Sequence, residues 1–262
     1  MKGLGRSFLM AFSGYSISPK TQLERNKENC SWVLVWLPII GAIITVVINR
    51  WAVAYPYLCN YQILPAVIGA VLPSILSGGA HLDGFFRTVD ALCSHKSREE
   101  KIKILSEDAH GGYSAIIVCI CYFMMAFGVW SEMPIDGIYV IAFAYIISRS
   151  LYGISVLTMK HSGANKCDAY VPDSKGVRIA QIIINIVYIV ICAVLMYEIS
   201  VFIEKPSLAI ACFIGAVLSY LYYAFVAVKH FGGVSEEVGS FFIMICEVVI
   251  PIAALIAFKR WF

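Results

Sequence analysis

Long apolar runs broken by short polar stretches organise this chain. About 20 consecutive apolar residues carry a helix across a bilayer. Seven stretches read as such spans: Val33–Asn49, Leu58–Leu76, Ser114–Trp130, Gly137–Leu157, Ile179–Phe202, Leu208–Val228 and Ser240–Phe258. Pro38, Pro65, Pro73 and Pro251 fall within or near them, where neighbouring groups must satisfy the carbonyls that proline frees. No low-complexity linker or repeat divides the chain, so residues 1–262 read as one polytopic domain. Its two polar insertions cover residues 78–113 and 229–239. The opening stretch, MKGLGRSFLMAFSGYSISPK, starts basic, holds a short apolar run and lacks a small-residue cleavage site. It predicts a short amphipathic or re-entrant element rather than a removed leader. The expected fold is an all-α integral membrane bundle of about seven helices.

Composition agrees with that pattern and narrows the chemistry. Hydrophobic residues make up 60% of the chain and charged residues 14%, against about 25% charged in a soluble domain. A lipid bilayer is therefore part of the solvent. The net charge of +3 is small, and basic and aromatic residues do not interleave, which argues against nucleic acid. Nine cysteines occur without a CxxC pair, the pattern of buried thiols rather than disulfides or zinc ligands. Fifteen Lys and Arg precede the first span or lie in the loops on its side, against four on the other side. This bias predicts a cytoplasmic N-terminus, cytoplasmic polar loops and an external C-terminus.

Three polar groupings carry candidate chemistry. In SGGAHLDGFFRTVDAL, a helix expected after Gly84 would align Asp83, Arg87 and Asp90 on one face. Two carboxylates at a membrane surface suit Mg²⁺, which takes carboxylate oxygens together with substrate phosphates. The same spacing describes an interfacial helix in which Arg87 bridges both aspartates. In SEDAHGG, Glu107, Asp108 and His110 are either ligands and a general base or a solvated helix end before a glycine stop. In HFGGVSEEVG, Gly232 and Gly233 form a turn whose backbone N–H groups suit an anion. Glu236 and Glu237 would repel a bare phosphate there unless a metal intervenes.

Two charges lie inside spans. Arg149 sits about 14 Å and Glu247 about 10 Å from the cytoplasmic end at 1.5 Å per residue. Either charge alone in lipid costs about 3 kcal/mol or more. Their similar depth predicts an Arg149–Glu247 pair, as a pin between helices or as part of a substrate cavity.

Taken in order, these segments resemble the cobalamin synthase family, the adenosylcobinamide-GDP ribazoletransferases. SFLMAFSGYSISPK is similar to the family's opening segment and WLPIIG to its first span. SGGAHLDGFFRTVDAL matches its Gly-Gly-x-His-Leu-Asp-Gly box, while ILSEDAHGGYSA, ISRS and FGGVSEEVGSFFIMICE resemble the later ones. The resemblance implies Mg²⁺-dependent transfer of the adenosylcobinamide phosphate unit from adenosylcobinamide-GDP to α-ribazole or α-ribazole 5′-phosphate, with release of GMP. It implies a bacterial or archaeal cell membrane, and it leaves room for a homo-oligomer or contacts with other corrinoid-pathway proteins. Catalytic roles are implied for His81, Asp83, Arg87 and Asp90, and metal ligation for Asp83, Asp90, Glu107 and Glu237. Substrate contacts are implied for Gly78, Gly79, Gly84, Gly111, Arg149, Gly232 and Gly233, and Glu247 matches an intramembrane acid. The chain departs from the family pattern at three places: Arg87 stands for an aspartate, Glu107 for an aspartate, and Ser-Glu-Glu for Thr-Gly-Asp. Two further readings accompany the transferase: an inactive homologue that binds a corrinoid or membrane partner, and a small transporter with Arg149 and Glu247 on its pathway.

Overall fold

The computed structural model describes residues 2–19, 21–58, 63–106, 112–162 and 167–260. Helices α1 (Lys2–Tyr15) and α2 (Lys27–Cys30) lead into α3 (Val33–Leu58). Then come α4 (Ile63–Leu76), α5 (Ala80–Cys93), α6 (Arg98–Ser106), α7 (Tyr113–Glu132), α8 (Ile135–Ile141) and α9 (Ala144–Thr158). A 3₁₀ turn at Cys167–Tyr170 precedes α10 (Lys175–Phe202) and α11 (Ser207–Val226), and a π turn at Ala227–Phe231 leads to α12 (Glu236–Arg260). Among the described residues, extended pairing is limited to one bridge between His161 and Val234.

Among the described residues six stretches are long and apolar enough to cross a membrane, or seven if the bent pair α4–α5 counts as one span. The protein is an all-α multi-pass membrane bundle. Ile135–Thr158 forms its centre, 78% buried, while Lys175–Phe202 lies at the margin, 22% buried. Helices α10 and α11 turn Ile183, Val190, Val194, Ile214, Val217 and Leu221 outward. Lipid is the solvent in which such a surface is stable. Where α8 gives way to α9, the Ala142 carbonyl accepts from Thr45 Oγ1 at 2.7 Å. A side chain thus satisfies a carbonyl that the broken helix frees. The eight described cysteines are free thiols.

The passage from α4 into α5 differs from the sequence-based expectation. Helix α4 ends at Leu76. Gly78 and Gly79 end it with φ of 63° and 73°, a left-handed conformation that glycine adopts without a Cβ penalty. The chain turns by 91° into α5. Helix α5 consequently begins at Ala80 and not after Gly84, with the Asp83 amide already donating to the Gly79 carbonyl at 3.0 Å. It also packs along α12 instead of lying loose on the surface. Phe85 stacks on Phe241 with ring centroids 5.7 Å apart. A Cβ at Gly84 would fall 2.6 Å from the Ser240 Cβ, so only glycine lets the two helices approach this closely.

The opening segment is the amphipathic helix α1. Ala11 and Tyr15 are buried while Leu9 is exposed, and Ser7 Oγ ties the helix to the Asn29 carbonyl at 2.8 Å.

Candidate functional site

Three separate parts of the chain enclose a cavity of about 670 Å³. The end of α1 and the segment up to Arg25 form one wall, Ser77 to Asp83 a second, and Tyr170 with Glu236 a third. Ser13, Ser16, Ser18, Thr21 and Ser77 add hydroxyl-bearing side chains, and the charged lining residues are Arg25, Asp83 and Glu236.

Glu236, at the first turn of α12, organises the third wall. Its Oε1 accepts from the Tyr15 hydroxyl at 2.7 Å and from the Tyr170 hydroxyl at 3.4 Å. The two hydroxyls lie 3.0 Å apart. Arg25 Nη2 donates to Glu236 Oε2 and to the Tyr170 hydroxyl, and the guanidinium carbon lies 4.9 Å from the Tyr170 ring centroid. Burial pushes the Tyr15 hydroxyl well above its ordinary pKa, and Glu236 pushes the same way. Burial and Glu236 do the same to Tyr170. Both phenols are therefore protonated donors. Burial works against the Arg25 cation, but the Tyr170, Glu236 and Tyr15 oxygens outweigh it and raise the pKa.

The bend at Gly78 and Gly79 places Asp83 on the cavity wall. Arg87, one turn on, donates Nε to Asp83 Oδ2 at 3.0 Å, with side chains 16% and 64% exposed. Asp90 has a different partner, accepting from the Gly112 amide at 3.2 Å. The two aspartates of the box thus do separate work: Asp83 faces a cavity, and Asp90 anchors the start of α7. His81 stands behind the wall, 1% exposed. Its ring stacks on Tyr15 at 5.5 Å, and its Nδ1 lies 3.5 Å from Ser240 Oγ. It supports Tyr15 and lines no part of the cavity.

Gly84, Gly232 and Gly233 also lie off the cavity, and each has a packing reason. Gly84 is the α5–α12 contact. Gly232 ends the π turn with φ 72°. At Gly233 a Cβ would meet the Lys160 carbonyl oxygen at 2.2 Å. Beside it, Val234 N donates to Lys160 O at 2.8 Å and Ser162 N to Val234 O at 2.9 Å. The turn carries no anion site on the cavity wall; it holds the start of α12 so that Glu236 reaches the cavity. Glu237 is not among the residues that line it and is 5% exposed. Glu107, Asp108, His110 and Gly111 lie outside the described residues.

The intramembrane pair is present. Arg149 Nη1 donates to Glu247 Oε1 at 2.9 Å, with side chains 1% and 4% exposed. Arg149 also reaches the Tyr145 carbonyl at 3.0 Å, and the Tyr122 hydroxyl donates to Glu247 Oε2 at 3.4 Å. A separate cavity of about 20 Å³ beside Glu247 is lined by Tyr122 and Tyr145, room for one water. Neither Arg149 nor Glu247 lines the larger cavity; their buried ion pair joins α9 to α12.

Sequence reasoning did not single out Tyr15, Arg25 or Tyr170, and it favoured Glu237 over Glu236 as a ligand. The signal for Tyr15 and Glu236 lay inside the quoted segments, in SGYS and GVSEE. Arg25 and Tyr170 carry no motif.

A family model described as cobalamin-5-phosphate synthase matches residues 7–255. Among curated proteins, the adenosylcobinamide-GDP ribazoletransferase of Lachnoclostridium phytofermentans is 30% identical over 251 residues, covering 96% of this chain and 94% of the relative. The protein of the same name from Clostridium botulinum strain Alaska E43 is 29% identical, covering 95% of this chain and 96% of the relative. That of Clostridium perfringens strain SM101 is 22% identical, covering 94% and 96%. No solved structure matches the chain.

Proposed function

The chain belongs to the cobalamin-5-phosphate synthase family, and from that premise we propose that it is an adenosylcobinamide-GDP ribazoletransferase completing the nucleotide loop of cobalamin. It joins the adenosylcobinamide phosphate unit of adenosylcobinamide-GDP to α-ribazole or its 5′-phosphate and releases GMP. The observation that supports this reading is the cavity of about 670 Å³ at which the opening segment, the Gly-Gly-x-His-Leu-Asp-Gly box and Glu236 converge. Three stretches far apart in sequence, each part of the family resemblance, share one polar chamber.

The reaction is phosphoryl transfer. The ribazole hydroxyl oxygen bonds to the cobinamide-side phosphorus as the bond to GMP breaks, and the hydroxyl proton passes to solvent. Such chemistry asks a protein mainly to align two substrates and to offset charge. Among the described residues Asp83 and Glu236 give the wall two carboxylates against one guanidinium, Arg25. A cation beside the anionic diphosphate would offset that excess.

Among the described residues no cluster of three His, Cys, Asp or Glu is placed to hold a metal by itself. Mg²⁺ does not require one, since it takes one or two carboxylates and completes its octahedron with water and substrate phosphates. The donor set fits on that basis with Asp83 as the carboxylate that would hold the ion, since both Glu236 oxygens already accept from Tyr15, Tyr170 and Arg25. When bound, Mg²⁺ neutralises the non-bridging oxygens and the departing GMP. The cavity walls lie on the side that the excess of Lys and Arg assigns to the cytoplasm, where nucleotide substrates are made.

The test is GMP release from adenosylcobinamide-GDP and α-ribazole 5′-phosphate by the protein in membranes, with and without Mg²⁺. Turnover only with Mg²⁺ is expected. No GMP under either condition, with activity appearing in Arg87→Asp, would point to a binding protein that has lost turnover. Turnover without metal would assign the charge-offsetting role to arginine alone.

A further inference from the structure

Arg25 engages one nitrogen of its guanidinium and keeps the others. Nη2 is engaged by Glu236 Oε2 and the Tyr170 hydroxyl, yet the side chain remains 38% exposed on the cavity wall. A guanidinium holds five N–H donors in one plane, so Nε and Nη1 keep three, and among the described residues nothing else bonds them. Both parallel forks of the group include Nη2, so these remaining donors act singly, as charge-assisted donors suited to a phosphate oxygen. Among the described residues no other Lys or Arg lines the cavity.

The arrangement behind Arg25 is built to hold this orientation. Glu236 receives three donors, from Tyr15, Tyr170 and Arg25. Tyr15 is steadied in turn by the His81 ring at 5.5 Å. An ordinary surface ion pair has no such support, since long side chains must be ordered for little gain. Here two phenols, 3% exposed each, have already fixed the carboxylate to which the guanidinium docks.

We propose that Arg25 binds the diphosphate of adenosylcobinamide-GDP through the N–H donors that Glu236 and Tyr170 leave free, with Glu236, Tyr15 and Tyr170 as positioning residues for its guanidinium. The identity of the ligand rests on the transferase reading; the phosphate contact rests on the geometry. Asp83, the carboxylate that would hold Mg²⁺, lies on the adjoining wall.

The experiment uses the full chain in lipid nanodiscs and two measurements, equilibrium dialysis of adenosylcobinamide-GDP and steady-state release of GMP. Arg25→Gln is expected to raise both Kd and KM for adenosylcobinamide-GDP by about tenfold or more. KM for α-ribazole 5′-phosphate should stay within about twofold, since that substrate lacks the diphosphate contact. Arg25→Lys keeps the charge without the planar set of donors and should recover only part of the loss. Tyr170→Phe should raise the same KM by less, with an unchanged unfolding midpoint. Equal rises in both KM values, or a fall in kcat alone, would overturn the proposal. Should Arg25→Gln aggregate, Arg25→Lys carries the comparison. If the wild type binds adenosylcobinamide-GDP but releases no GMP, the transferase reading fails, and dialysis of the variants still decides the role of Arg25. A wild type that does not bind it overturns both.

Discussion

Helix α12 carries two glutamates eleven residues apart, Glu236 and Glu247. At 100° per residue they fall within about 20° of each other around the helix, and about 16 Å apart along it. Each takes an arginine and the hydroxyl of a tyrosine from elsewhere in the chain. The chemistry is nearly the same, and enclosure separates the two. Arg149 and Glu247 are 1% and 4% exposed, while Arg25 and Glu236 are 38% and 20% exposed. In the sealed set neither charge can leave without stranding the other in low dielectric, so the pair fixes helices. In the open set the guanidinium keeps donors to spare and meets solvent. Identical residue types are therefore sealed inside the bundle in one place and line an open cavity in the other.

The sharpest way to break this comparison is Glu247→Gln. It leaves Arg149 buried without its counter-charge and should cost about 3–5 kcal/mol, read as a lowered unfolding midpoint in detergent. The double reversal Arg149→Glu with Glu247→Arg should regain part of that loss, and no recovery would count against a paired pin. Glu236→Gln should do the reverse: kcat/KM falls about a hundredfold, with stability changed by less than about 1 kcal/mol. Large destabilisation by this variant would erase the distinction between the two sets. Gly233→Ala probes the support beneath Glu236, since the new methyl collides with the Lys160 carbonyl. About 1–3 kcal/mol of strain is expected, with KM for adenosylcobinamide-GDP rising as Glu236 shifts. Tyr122→Phe should be mildest. It removes one hydrogen bond to Glu247, worth about 1 kcal/mol, and should leave kcat/KM at the wild-type value.

The intramembrane pair was legible in the sequence because lipid makes an unpaired charge expensive, so two charges at matching depth announce each other. The spans were legible for the same reason, as long runs without charge. The bend at Gly78 and Gly79 was not, because a glycine pair after an apolar run fits many turns and only the fold shows that both adopt a left-handed conformation. Nor was the open set. Tyr15, Arg25, Tyr170 and Glu236 come from four separated positions near an aqueous rim, where a polar residue carries no energetic signature of a partner. The glycines of FGGVSEE misled for a related reason. Sequence shows that a backbone must come close there, and only the fold shows that it meets another loop and not a ligand.

The short backbone bridge between His161 and Val234 gives the cavity a doorway with a direction. It staples the loop carrying Tyr170 to the start of the helix carrying Glu236, so these two portions of the rim behave as one jamb. Facing them, Thr21 N is held by Ser13 Oγ, and Arg25 by Glu236 and Tyr170, so side chains rather than paired backbone close the opposite part of the rim.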